Sequence, residues 1–308
     1  MGKDSVVGQL VRLVFVLLGG MMLAWIATLV VLLVQASFDV QTAIFQANML
    51  LQSTGMLRLL QGIQSVCIFV FPPFLFCLIN GQSPIKTFLF RKPSGEQLFL
   101  AILSLVVAIP LINALVVWNE GMQLPPFLHG LEEWMRVTEK TAEELTRRMM
   151  SGTAWHDLAF SLLVVAVLAG FGEELFFRGL LQGMLIKLLG RKRRSVDGLI
   201  PPWIMHVSIW AIAFLFSAIH LQFFGFIPRL LLGAWFGYLL WWTGTIWVPI
   251  LAHMTNNALS TFFLFSSNNR WVTDNPDHLG TDKTWWMSLL SLILLTACAV
   301  LLKRKRSI

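Results

Sequence analysis

Eight long apolar stretches dominate this chain, near 11–34, 57–79, 97–118, 156–186, 203–220, 226–242, 246–265 and 284–302. An α-helix needs about 20 apolar residues to cross roughly 30 Å of hydrocarbon. In lipid, each backbone N–H and C=O must find its partner within the protein, which confines such segments to helices. The expected fold class is therefore all-α: one polytopic membrane domain over 1–308 with about eight transmembrane helices. The fourth stretch exceeds one perpendicular span and must tilt or project. Composition agrees, with 56% hydrophobic and only 13% charged residues in 308, where a soluble protein carries roughly 25% charged. A soluble enzyme and a disordered chain are excluded.

Tryptophan marks the ends of these stretches. Trp118, Trp155, Trp203, Trp241, Trp242, Trp247, Trp271, Trp285 and Trp286 all fall at or near a proposed boundary, as in an interfacial aromatic belt. Lys and Arg set the orientation. With a cytoplasmic N-terminus, the inner side holds Lys3, Arg12, Lys86, Arg91 and Lys92. Lys187, Arg191, Lys192, Arg193 and Arg194 join them, as do Lys303, Arg304, Lys305 and Arg306. The outer side gets mainly Arg136, Lys140, Arg147 and Arg148, in a loop with six glutamates. Both termini are thus expected in the cytoplasm of a plasma (inner) membrane protein. The net charge of +7 is a topology signal. It calls for no nucleic-acid partner, and the bilayer is the partner expected.

The first apolar run is too long for a signal-peptide core and reads as a retained anchor. Val6 stands where myristoylation expects Ser or Thr. Cys67, Cys77 and Cys298 lie in apolar runs without CxxC or nearby His, and read as packing residues. Gly233 and Gly237 form a GxxxG pair, expected to pack spans within the chain.

One polar insertion runs from Asn119 to Thr153. Within it Leu131, Trp134, Met135, Thr138, Ala142, Leu145 and Met149 recur at helical spacing. Glu132, Glu133, Glu139, Lys140, Glu143 and Arg147 take the rest. This predicts an amphipathic helix on the outer surface, a cap over the bundle with a substrate gate as the second reading.

Ionisable groups inside spans cost on the order of 2.5–3.5 kcal/mol each and mark function by default. Glu173 and Glu174 are acids well inside an apolar segment, followed by Arg178. His220 ends the fifth stretch, and His253 and Asn257 lie in the seventh. Glu174 and Arg178, four apart, share a helix face and can pair. Glu173 points roughly 100° away, and a desolvated carboxylate without a fixed cation suits a general base near neutral pH. His253 and Asn257, also four apart, present two donors from one face, as an oxyanion requires. Pro249 is expected to loosen the helix before His253. Gly170 and Gly172 are expected to let another backbone approach. His206 reads as structural, and His129, His156 and His278 as solvated. On straight perpendicular helices His253 would sit about 10 Å into its span and His220 about 25 Å into its own, so a shared site needs tilted or offset helices.

Glutamate with histidine suggests activation of water, and the donor pair suggests amide hydrolysis. A zinc protease of the H-E-x-x-H kind is excluded because the motif is absent. The spans contain no aspartate pair, and Ser217 lies three residues before His220 on one helix without the context of a nucleophile. The ordered set E-E-x-x-x-R, F-x-x-x-H and H-x-x-x-N resembles the CPBP family, also called ABI. Those are CAAX prenyl endopeptidases of the CAAX prenyl protease 2 type, bacteriocin-processing enzymes and lysostaphin-resistance-protein-A-like members. The resemblance spans about 169–259, within a core of about 155–265, and includes Thr243–Trp247 before the third motif. It implies a glutamate-dependent intramembrane endopeptidase with its site inside the bundle, acting on a membrane-associated protein or peptide. Glu173 and His220 would activate water, His253 and Asn257 would stabilise the oxyanion, and Glu174 with Arg178 would hold the site. No cofactor is expected. Glu173, His220 and His253 are the set a Zn²⁺-dependent version would use, and a non-catalytic immunity or binding protein is the remaining alternative. The 119–153 insertion has no counterpart in the resemblance.

Overall fold

The computed structural model describes residues 6–50, 52–190, 200–272 and 278–304, which contain helices and no strand. Lys3, Arg191, Lys192, Arg193, Arg194, Lys305 and Arg306, part of the orientation argument, lie outside the described residues. The long helices are α1 Val6–Gln35, α2 Val40–Leu50, α3 Thr54–Ile79, α4 Gly95–Glu120 and α5 His129–Met149. They continue with α6 Trp155–Gly190, α7 Pro202–Ala218, α8 Phe226–Thr243, α9 Trp247–Asn268 and α10 Trp285–Arg304. All eight expected stretches are helical, and α2 is an addition the hydropathy did not call for.

Five of these helices, α1, α3, α4, α6 and α10, are long and apolar enough to cross a membrane. The other three are α7, α8 and α9, with 17, 18 and 22 residues. On these criteria five spans stand where about eight were expected. α7 is apolar and is set apart by its length alone; for α8 and α9 the reason is chemical. α8 carries Arg229, and α9 carries His253, Thr255, Asn256 and Asn257, so the helices that bring polar groups inward lose apolar character by doing so.

Half of the most apolar stretch of α6 is buried, against 17% for α1 and for α10, so α6 is the central helix. α3 packs on one side of it and α9 on another, with α7 and α8 against its second half. α1 covers α3, and α4 bridges α8, α9 and α10. Two wide π stretches, Leu162–Leu168 and Leu175–Gln182, flank the α-helical turn Ala169–Glu174. Such stretches break the 3.6-residue register and recur at functional sites.

Glycine permits the close approaches, as expected. A Cβ on Gly170 would lie 3.0 Å from the backbone N of Met254 in α9, and one on Gly172 would lie 3.0 Å from Cβ of Phe69 in α3. Gly233 and Gly237 face Phe216 and Ile209 of α7, so the GxxxG pair packs within the chain. Local signals fix the helix ends. Ser94 and Gln97 form a reciprocal capping box at the start of α4, and Gly244 at φ +66° closes α8. Pro249 does not loosen α9: the helix begins at Trp247, and an N–H missing from the first turn breaks no helical bond.

The insertion forms α5, but its covered face is turned from the expected one. Met135, Glu139, Ala142, Thr146 and Met149 are covered, whereas Leu131, Trp134 and Leu145 are exposed. Glu139, placed on the polar side by its charge, is buried. Arg58 of α3 holds the return of the insertion. Its Nε donates to the Met149 carbonyl at 2.7 Å, its Nη1 to Asp157 at 2.8 Å, and its Nη2 to the Ser151 carbonyl. The three cysteines are free and buried.

Gly170→Ala should lower stability by about 1–3 kcal/mol, because the α9 backbone cannot yield. Gly130→Ala, on the open first turn of α5 with nothing within 4 Å, should be neutral or stabilising by up to about 1 kcal/mol. Thermal unfolding of both variants in the same detergent checks the contrast.

Candidate active site

The deepest charges are Glu174 and Arg178, whose side chains are both fully buried. Arg178 Nη1 donates to Glu174 Oε1 at 2.8 Å, and Nη2 donates to the Gly233 carbonyl of α8 at 2.9 Å. The guanidinium lies 4.6 Å from the Phe216 ring centre and 5.5 Å from that of Phe236, a favourable placement for a desolvated cation. Glu174 Oε1 also accepts from Nδ1 of His253 at 2.8 Å. Among the described residues its other oxygen and Arg178 Nε have no hydrogen-bond partner. A pair built for affinity would be bidentate. Here one oxygen is shared between a cation and an imidazole, an arrangement that orients the ring.

Phe236 stacks on His253 at 4.9 Å, and Phe216 meets it edge-on at 5.9 Å. With Nδ1 given to Glu174, the Nε2 edge is directed to Glu173, whose Oε2 is 3.9 Å away. His220 lies just beyond the end of α7. Its Nδ1 donates to the Phe216 carbonyl at 2.7 Å, and its ring meets Phe216 at 5.0 Å. A carbonyl can only accept, so Nδ1 carries the proton and Nε2 of neutral His220 keeps its lone pair. Phe216 therefore touches both histidines, which removes the depth conflict expected from straight helices.

Glu173, His220, His253 and Asn257 line one cavity of ≈480 Å³. Glu174 and Arg178 stand behind its wall. Asn257 Nδ2 donates to the Val165 carbonyl of α6 at 3.0 Å, leaving one amide hydrogen for the cavity. All six residues singled out from the sequence thus converge as wall or support. His206 bonds Tyr238 at 2.7 Å and Ser217 gives its hydroxyl to the Phe226 carbonyl at 2.8 Å, structural roles for both.

The polar cavity residues that were missed include Arg229, Gln222 and Asn256, with Gln61 and Ser260 also on the wall. Arg229 donates to the side chain of Gln222 and, at 3.4 Å, to its carbonyl. The signal for Arg229 was present, since it is an arginine inside an apolar stretch. Gln222 and Asn256 carry no such mark. Thr146 and Met149 of α5, with Met150 after it, also line the cavity. Glu139 accepts from the Phe224 N–H at 2.7 Å. Burial pushes its carboxyl above the ordinary range, against the opposing effect of that bond.

Among the described residues no group of three or more His, Cys, Asp or Glu side chains is placed to hold a metal ion. Glu173, His220 and His253 as they stand do not fit a Zn²⁺ ligand set, which needs convergence at about 2 Å.

Removing one partner of a buried ion pair leaves an uncompensated charge. Arg178→Met should therefore cost about 3–5 kcal/mol, more than removing both charges in Glu174→Leu/Arg178→Met. Denaturant titration in mixed micelles reads the difference.

Residues 155–259 match the family model of the Rce1-like type II CAAX prenyl endopeptidases. The match contains all six residues and leaves α5 outside. Neither a curated protein nor a solved structure matches the chain.

Proposed function

We propose, from the match of residues 155–259 to the CAAX prenyl endopeptidase family model, that this chain is an integral-membrane endopeptidase in which Glu173 drives hydrolysis of a peptide bond in a membrane-associated protein or peptide. One observation carries the reading: Glu173 Oε2 and His253 Nε2 meet at 3.9 Å on the wall of a cavity also lined by His220 and Asn257. A proton acceptor and oxyanion donors face the same cavity.

Water in this cavity would give one hydrogen to Glu173 and a hydrogen bond to the free Nε2 of His220. As the proton leaves, the water oxygen bonds the scissile carbonyl carbon, and negative charge builds on the carbonyl oxygen. Asn257 offers its remaining amide hydrogen to that oxygen. His253 can donate only from Nε2, so it acts as the imidazolium, with Glu174 supporting its far side and Glu173 balancing its charge. Glu173 then passes the proton to the amide nitrogen, the C–N bond breaks, and an acid and an amine leave. Each step uses side chains of this chain and one water. The Lys and Arg distribution supports a plasma-membrane protein with both termini cytoplasmic, built as one membrane domain with α5 outside.

Glu173→Gln and His220→Ala should abolish cleavage while insertion and folding persist. His253→Ala and Asn257→Ala should lower kcat by about 10²–10³-fold, as loss of oxyanion donors does. Terminus-enriched proteomics on membranes complemented with wild type or Glu173→Gln, at matched expression, tests the proposal and yields substrates. Termini that need the carboxylate support a protease. Identical termini with a rescued phenotype would favour the non-catalytic binding or immunity protein.

A further inference from the structure

The turn 219–225 between α7 and α8 presents His220 and Gln222 to the cavity. Leu221 between them has φ +53°, in the left-handed region that L residues other than Asn and Asp rarely adopt. Such a turn persists only where its surroundings hold it. Asn119 at the end of α4 supplies part of that hold, donating to the Phe223 carbonyl at 3.3 Å and accepting from Ile227 N–H at 2.8 Å. The rest comes from α5. The Trp134 ring lies 5.4 Å from Phe223, the Arg136 guanidinium lies 4.1 Å over the Phe224 ring, and Glu139 Oε2 accepts the Phe224 N–H at 2.7 Å.

Glu139 is the costly member of this set. It is 7% exposed on a helix where Glu133, Glu143 and Glu144 are exposed and Glu132 is half-buried. Burying a carboxylate costs several kcal/mol unless its hydrogen bonds compensate. The charged groups that act on it are Glu143 on its own helix and Arg229 on α8, and among the described residues none forms an ion pair with it within 4.0 Å. Its hydrogen-bond partners are backbone N–H groups of the turn, at Phe224 and Gly225. A carboxylate accepting from N–H gives a bond roughly twice as strong as a neutral acceptor, suited to holding a backbone in an unfavourable conformation.

We propose that Glu139 is a positioning residue of the hydrolytic site: through Phe224 N–H it fixes the turn that presents His220 and Gln222. α5 is then part of the site and not a detachable cover, and a segment outside the family match sets the geometry of a residue inside it. This rests on the reading of His220 given above. A helix clamped for stability alone would predict a different pattern, with all effects following unfolding.

The test uses the full chain in detergent. Its readouts are amide hydrogen exchange over 219–227 and cleavage of a substrate peptide drawn from the termini comparison, with His220→Ala as reference. Glu139→Ala should speed exchange at Phe224 by about tenfold or more. It should lower kcat by about 10–100-fold, the effect of a displacement near 1 Å, with KM within about twofold. Glu139→Gln keeps an acceptor of the same reach and should restore both readouts to within about threefold of wild type. Glu139→Asp keeps the charge but shortens the reach, and should behave like Glu139→Ala; it serves where the alanine variant does not fold. Unchanged exchange and kcat in Glu139→Ala and Glu139→Asp, with His220→Ala inactive, would overturn the inference and leave the protease standing. Equal losses in all Glu139 variants that follow a lower Tm would reduce the residue to a stabilising contact. Should His220→Ala cleave at the wild-type rate, the role of His220 falls instead, and the exchange data alone decide whether Glu139 holds the turn.

Discussion

A guanidinium without access to water organises the centre of this protein. Arg178 of α6 reaches the α8 backbone at Gly233 and, through a single oxygen of Glu174, the imidazole of α9 at His253. Three helices are thereby fixed against one another by directional bonds, where apolar side chains alone would allow them to slide. The charges must be paired because they are buried, and the phenylalanines around Arg178 keep water from competing. Two polar atoms left without partners show that the arrangement favours direction over affinity.

The site was readable from the sequence wherever its logic is local. Glu174 and Arg178 four residues apart, His253 and Asn257 four apart, and Gly170 and Gly172 beside them each announce a helix face. An ionisable residue in an apolar stretch draws attention by its cost. The same rule applied to Arg229, and its neighbourhood of Gln222 emerged only in three dimensions. Glu139 shows the converse limit. On a helical wheel a glutamate beside a lysine belongs to the solvent, and only the distant Phe224 N–H explains why it turns inward. The covered face of α5 was misplaced for that reason.

The wide turns of α6 were not legible either. Leu162–Leu168 does not differ in kind from ordinary apolar helix, and Arg178 in Leu175–Gln182 signals a charge and not a wide turn, since a π register is imposed by packing. The number of spans was hard to read for a related reason. α8 and α9 face the cavity with part of their surface, and a hydropathy average cannot distinguish a polar group turned inward from one that belongs outside the membrane.

The register of α6 has a consequence for how this protein tolerates change in chain length. Asp157 near its beginning is held by Arg58 of α3, and Glu174 further along is held by His253 of α9. Removing one residue from the wide stretch between them would rotate one end against the other by about 100°. Either Asp157 would leave Arg58 or Glu174 would leave His253, and the adjacent Glu173 would take a place it is not shaped for. The identity of two neighbouring glutamates, one behind the wall and one in front of it, is thus stored in a residue count some ten positions away. Insertions and deletions there carry a risk that conservative substitutions in the same segment do not.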